Sequence, residues 1–154
     1  MAYIKIKGEK PKYTVTLTKT SADVKITNGN VNYSLEGAVY NVYEANGMPN
    51  HDYTNDPVVA TFTTQKDGHA TLSKKLENGD YVTIEQVAPL GYTLDTSVHR
   101  FSVDGKNTDI PVVDDPGYIQ LTIKKKDSDN NTGIASGDAK LEGAIYSVAY
   151  LENG

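Results

Sequence analysis

Read from its residues, the chain is an all-β sandwich. Hairpin punctuation, short β-rich runs and an internal repeat all point that way. Asn-Gly or Asp-Gly pairs stand at 28–29, 46–47, 67–68, 78–79 and 104–105, and such pairs tolerate the positive φ angles of type I′ turns. Between them lie runs rich in Val, Thr, Tyr and Ile at about 13–20, 37–44, 57–64, 69–74, 80–86, 97–103 and 108–114. Seven short strands separated by regular turn signals read as a β-sandwich. Finally, Leu35-Glu36-Gly37-Ala38-Val39-Tyr40-Asn41-Val42 recurs 106 residues later as Leu141-Glu142-Gly143-Ala144-Ile145-Tyr146-Ser147-Val148. A period of domain length predicts tandem copies.

Each run has its own reading. In Tyr13-Thr14-Val15-Thr16-Leu17-Thr18-Lys19 side chains alternate between faces, so Lys19 shares the buried face with Val15 and Leu17. Residues 22–34 read as a long connection or a small extra hairpin, and 48–56 could hold a short turn; no segment sustains a helical apolar period. In the run 80–86, Glu85 falls with Tyr81 and Thr83, just ahead of Ala88-Pro89-Leu90-Gly91-Tyr92. In the last run Asp114 falls with Ile110 and Val112, and Pro116 stops the strand. One amine and two carboxyls are thus expected on buried faces. They need each other there, because a lone ionised group in an apolar core is too costly to keep.

The offset of 106 also carries Lys19 onto Lys125, and Val15 and Leu17 onto Leu121 and Ile123. The expected organisation is an N-terminal tail or linker at 1–12, a complete sandwich at 13–116, and the truncated first half of a second repeat at 117–154. With 154 residues there is room for one domain of about 100–110 residues and part of another. In the second copy Lys125 has no counterpart of Glu85 or Asp114.

Composition excludes several functions. A formal net charge of −5 argues against nucleic-acid binding, which draws its affinity from clustered Lys and Arg. Lys124-Lys125-Lys126 is the sole basic run and reads as the charged face of a strand. With no cysteine there is no disulfide and no thiolate metal site. No apolar stretch approaches the roughly 20 residues of a spanning helix, so no membrane insertion is expected of this fragment. Met1-Ala2-Tyr3-Ile4-Lys5-Ile6-Lys7 does not read as a signal peptide, leaving a cytoplasmic protein or a piece of a longer exported one. His51, His69 and His99 lack metal-ligand spacing. The run Asp127 to Asp138 hints at a Ca²⁺ loop, but Thr132 occupies the glycine position and no Glu closes it, so a polar hairpin turn is expected.

Taken together, Lys19, the strand Leu35-Glu36-Gly37-Ala38-x-Tyr40, the segment Glu85-Gln86-Val87-Ala88-Pro89-Leu90-Gly91-Tyr92 and Val112-Val113-Asp114-Asp115-Pro116 resemble the Cna B-type, or SpaA-type, domains of Gram-positive surface adhesins and pilins. The resemblance covers 13–116 and, as a first half, 118–154. It implies a transthyretin-like, or prealbumin-like, Ig-like β-sandwich. It also implies a self-formed isopeptide bond between Lys19 and Asp114, promoted by the buried Glu85. Here Asp stands at the acceptor position where Asn is commoner, and Thr83 stands where a large apolar residue is frequent.

On that reading the domain is a structural stalk or pilin-like module whose only chemistry is one self-modification, not turnover of a substrate. Burial favours a neutral amine beside a protonated carboxyl, Glu85 shuttles the proton, and no cofactor is needed. Neighbouring domains of the same cell-surface protein would be its partners. The alternatives are a buried ion-pair cluster without a bond, a ligand-binding domain contacting a host protein or glycan through Tyr33, Tyr43 and Tyr53, and an accessory domain of a secreted enzyme. A contiguous exposed aromatic patch would mark the ligand-binding case.

Overall fold

A computed structural model describes residues 8–48, 50–117 and 122–148. The chain divides into two compact units, Met1–Tyr118 and Ile119–Gly154. In the first unit the order is β1 (Val15–Ser21), α1 (Val24–Thr27), β2 (Val39–Glu44), β3 (Ala60–Thr63), β4 (His69–Thr71), β5 (Gly79–Val87), β6 (His99–Val103) and β7 (Thr108–Asp114). All seven expected strands are present. The segment 22–34 holds a single helical turn in place of a hairpin, begun by Asp23, whose carboxylate accepts the Lys25 N–H.

The strands form two sheets, ordered β4-β1-β7 and β3-β2-β5-β6. β1 and β7 run parallel, with Lys19 opposite Val112 and Ser21 opposite Asp114; the other pairings are antiparallel. Strict alternation in β1 and β7 sends Val15, Leu17, Ile110 and Val112 inward, against Tyr40, Val42, Phe62 and Tyr81 from the facing sheet. Burial of these apolar side chains, at about 1.5–3 kcal/mol each, is the main favourable contribution to folding. β5 departs from alternation at Val82, which is buried on the outer face beneath Tyr43 and Tyr53. The 45–59 connection therefore covers that face with a small second core. It also explains why Tyr43 and Tyr53 are only 5% and 3% exposed, and so do not form the exposed aromatic patch that a ligand-binding reading requires.

In the second unit, residues 122–148 contain turns but no strand. Sequence parity expects Ile123 and Lys125 on a buried face, yet Ile123 is 49% exposed, Lys125 is exposed, and Ile145 is 94% exposed; Leu121 lies outside the described residues. The alternation is written in the sequence, but 122–148 hold no sheet to bury it, and an isolated strand pair is marginal in water. The Asp127 carboxylate accepts backbone N–H groups of Asp129 and Ser136. That is the geometry of a polar turn.

One turn of the first unit touches the site directly. Gly68 ends the β3–β4 turn at φ +79, its carbonyl accepts the Lys19 N–H at 2.9 Å, and a Cβ there would overlap the Lys19 carbonyl oxygen. Gly68→Ala should therefore lower stability by at least about 1–2 kcal/mol, the cost of a left-handed alanine before any overlap is counted. Gly47→Ala, at a position with open space and no positive φ, should be close to neutral. Chemical denaturation of the two variants measures the difference, and equal midpoints would contradict this account.

Candidate functional site

The buried polar groups of the sandwich converge between the sheets. Lys19 on β1 and Asp114 on β7 come from one sheet, and Glu85 on β5 and Tyr40 on β2 from the other; they are 0%, 1%, 2% and 0% exposed. Parallel pairing sets Asp114 two residues beyond Val112, the register partner of Lys19, on the same face. A lysine side chain spans that diagonal. Across the interior, Tyr40 and Glu85 are direct register partners, just past a β-bulge between Val39 and Tyr40. Bulges re-aim side chains, and this one falls where β2 and β5 must both point at the amine.

Lys19 Nζ contacts Asp114 Oδ2, donates to Glu85 Oε1 at 2.9 Å and donates to the Tyr40 hydroxyl at 2.7 Å. The Tyr40 hydroxyl in turn donates to Asp114 Oδ1 at 3.4 Å. Glu85 Oε2 accepts the backbone N–H of Asp95 at 2.9 Å, so both oxygens of that carboxylate are held. Asp114 Oδ2 is buried, and the Lys19 amine is its only polar contact among the described residues. Burial pushes the Asp114 carboxyl above its ordinary value of 3.8, Lys19 pulls it partly back, and Glu85 raises it again. Burial, with Asp114 and Glu85 beside it, also holds the Tyr40 phenol far above its ordinary value, so it stays protonated.

The Ala88-Pro89-Leu90-Gly91-Tyr92 segment is the frame for this cluster. Gly91 has φ +84, and a Cβ there would overlap the Asn32 carbonyl oxygen and the Tyr33 ring, so only glycine fits. Tyr92 packs edge-on against Tyr33 with centroids 5.8 Å apart, and Tyr33 donates to the Gly117 carbonyl at 2.9 Å. Gly117 N–H donates to Gly91 O at 2.7 Å, and Thr93 N–H to Asp115 O at 3.1 Å. The turn is therefore tied to the chain just after Asp114 while it delivers the Asp95 N–H to Glu85.

Sequence parity singles out Lys19, Glu85 and Asp114, and the fold brings these three side chains together. It does not single out Tyr40 as a site residue. The available signal was Tyr146, the same residue type at the same place in the repeat, where Val39 and Asn41 have become Ile145 and Ser147. Lys125 is exposed, with no carboxylate within ion-pairing distance among the described residues. The three histidines lie apart, His51 paired with Asp56 and His99 with Asp95, each at 2.8 Å, and His69 with Thr18 at 3.1 Å. Among the described residues no group of acidic and histidine side chains could hold a metal ion, and no helix is long and apolar enough to cross a membrane.

A family model for the SpaA prealbumin-like fold domain matches residues 14–116, and the chain belongs to that family. The trypsin-resistant surface T6 protein of Streptococcus pyogenes serotype M6 is 25% identical over 120 residues, covering 78% of this chain and 18% of that protein. The fimbrial protein FimP of Actinomyces oris matches with a TM-score of 0.52 at 24% identity, over 68% of this chain and 30% of that one. The T6 backbone pilin of Streptococcus pyogenes matches with a TM-score of 0.45 at 26% identity, over 60% and 16%. The chain thus spans under a third of the length of each of these proteins.

The raised Asp114 carboxyl has a consequence for pH. Its folded-state value lies above the unfolded one, so the folded state binds more proton between the two and stability falls as pH rises through that window. Lys19→Ala removes both influences that lower the carboxyl, the hydrogen bond and the charge of Lys19, and leaves the three that raise it, burial and the charge and hydrogen bond of Glu85. The thermal midpoint of Lys19→Ala should therefore be higher at about pH 5 than at about pH 7.5. The carboxylates held low, Asp52, Asp95 and Asp127, lose their contribution only below that range. A midpoint that falls on acidification from pH 7.5 to about pH 5 would contradict the assignment.

Proposed function

We propose that this chain is a stalk module of a pilin-like Gram-positive surface protein, held at the cell surface as part of a longer molecule and closed by one intramolecular isopeptide bond between Lys19 and Asp114. A single observation carries the reading: the Lys19 amine contacts Asp114 Oδ2 in a fully buried site, with Glu85 Oε1 at 2.9 Å. Membership of the SpaA family supports it, as do relatives described as a surface protein, a fimbrial protein and a backbone pilin.

The chemistry is a condensation. The neutral Lys19 amine attacks Asp114 Cγ, Glu85 takes the proton released from nitrogen and passes it to the departing oxygen, and water leaves. Well-oriented groups reach effective molarities of about 10⁵ M or more, so the folded geometry supplies what solution cannot. The reaction occurs once per chain and needs no cofactor, so the protein is not an enzyme in the turnover sense. Glu85, anchored through Oε2 by the Asp95 N–H, is the promoter.

The mechanical consequence follows from topology. β1 and β7 are parallel neighbours, so tension entering before Val15 and leaving after Asp114 pulls them in shear. A Lys19–Asp114 bond carries that tension from one strand to the other and leaves residues 20–113 off the load path. Residues 117–154 are proposed as the opening of a second copy, with Lys125 as its lysine, and adjoining domains of the same protein as the module's partners.

The folded chain should be lighter than its sequence mass by one water. Lys19→Ala, Asp114→Ala and Glu85→Gln should abolish the loss, and Lys125→Ala should leave it unchanged. The linked domain should exceed a folded, unlinked Glu85→Gln chain in stability by about 4–5 kcal/mol, by analogy with a covalent loop of roughly 100 residues. An unmodified mass in an aged, folded sample overturns the bond.

A further inference from the structure

Resting on the isopeptide reading above, we infer that Tyr40 is a second catalytic residue of bond formation, the hydrogen-bond donor that stabilises the oxyanion formed on Asp114. Its hydroxyl touches both reacting groups, accepting from Lys19 Nζ at 2.7 Å and donating to Asp114 Oδ1 at 3.4 Å. The two oxygens of Asp114 are thereby distinguished. Oδ2 faces the amine; Oδ1 faces the phenol.

Attack of the Lys19 lone pair on Cγ makes the new C–N bond and moves the carbonyl electron pair onto Oδ1, which becomes the oxyanion. Tyr40 meets that charge with its O–H while its own oxygen releases the Lys19 N–H. Glu85 accepts one proton from nitrogen and delivers it to Oδ2, the Cγ–Oδ2 bond breaks, and Oδ2 leaves as water already carrying the carboxyl proton. The oxyanion electron pair returns to re-form the carbonyl. The Tyr40 proton is never transferred. It need not be, because burial, with Asp114 and Glu85 beside it, keeps the phenol protonated, and a fixed donor in a buried site needs no reorganisation as charge develops.

Two further observations fit a chemical role better than a packing one. Phenylalanine would fill the same volume, since the ring already packs among Val42, Phe62 and Val112 in the core, yet the hydroxyl sits between the reacting atoms. The repeat also keeps a tyrosine, Tyr146, at the equivalent position.

The test is the rate of water loss in the full chain, followed by intact mass at successive times after a pulse of cell-free synthesis. Tyr40→Phe should fold, judged by circular dichroism, and link at least tenfold more slowly; loss of one oxyanion donor typically costs about 10²–10³ in rate. A folded Tyr40→Phe chain that links within twofold of the wild-type rate overturns the role. If Tyr40→Phe does not fold, 3-fluorotyrosine placed at position 40 decides. Its more acidic hydroxyl is a stronger donor and should speed linkage, and an unchanged or slower rate overturns the role. The two proposals fail separately: no water loss in the wild-type chain removes the isopeptide reading, whereas wild-type linkage with an unaffected Tyr40 variant removes only Tyr40.

Discussion

A lysine placed between two carboxyls in the interior of a sandwich governs much of the rest of this structure. Taking three ionisable groups out of water costs several kcal/mol each, and their mutual attraction offsets this only when geometry and hydrogen bonding are nearly complete. The surrounding fold supplies that completeness. The Asp95 N–H holds the second oxygen of Glu85, the Tyr40 hydroxyl bridges amine and carboxyl, and the Gly68 carbonyl fixes the Lys19 backbone. Asp114 Oδ2 has the Lys19 amine against it and no other polar partner among the described residues. In the proposed condensation that oxygen is the one that leaves.

The parts of the sequence that look like motif are the parts that keep this cluster in register. Gly91 permits the close approach of its turn to Asn32 and Tyr33, and the same turn pairs with the residues after Asp114. The two ends of the site, Glu85 with its Asp95 anchor and Asp114 with its following Asp115 and Gly117, are therefore fixed relative to each other by backbone hydrogen bonds. Orientation to a fraction of an ångström is what converts a slow bimolecular condensation into a fast intramolecular one. The structural role of Ala-Pro-Leu-Gly-Tyr and the chemistry proposed for Glu85 are thus one requirement seen at two scales.

The strands were legible because their signals are local. Alternation in Val15-Thr16-Leu17-Thr18-Lys19 and in Ile110-Pro111-Val112-Val113-Asp114 fixes which side chains face inward, and Asp-Gly at 67–68 marks the β3–β4 turn. What stayed hidden depends on pairing across the chain. Nothing local states that β1 lies parallel to β7, or that a bulge brings Tyr40 opposite Glu85. The outward Val82 is buried because Tyr43 and Tyr53 fold over it, which is also why those two tyrosines, which looked available for ligand contact, are core residues. Helix α1 is four residues long, too short to leave an apolar period, and only its Asp23 cap was there to be read.

Lys125 sharpens the point that a residue's chemistry belongs to its surroundings. It shares with Lys19 the alternating strand context and the following Leu-Glu-Gly-Ala element at the same spacing. Yet Lys19 is fully buried among Tyr40, Glu85 and Asp114, and Lys125 is exposed with no ion-pair partner among the described residues. On the proposed chemistry the lysine-bearing strand is inert by itself, and reactivity appears only when the strands carrying Glu85 and Asp114 close over it. With the amine on the first strand and the carboxyl on the last, the proposed bond has folding itself as its trigger: it cannot form until β7 has paired with β1.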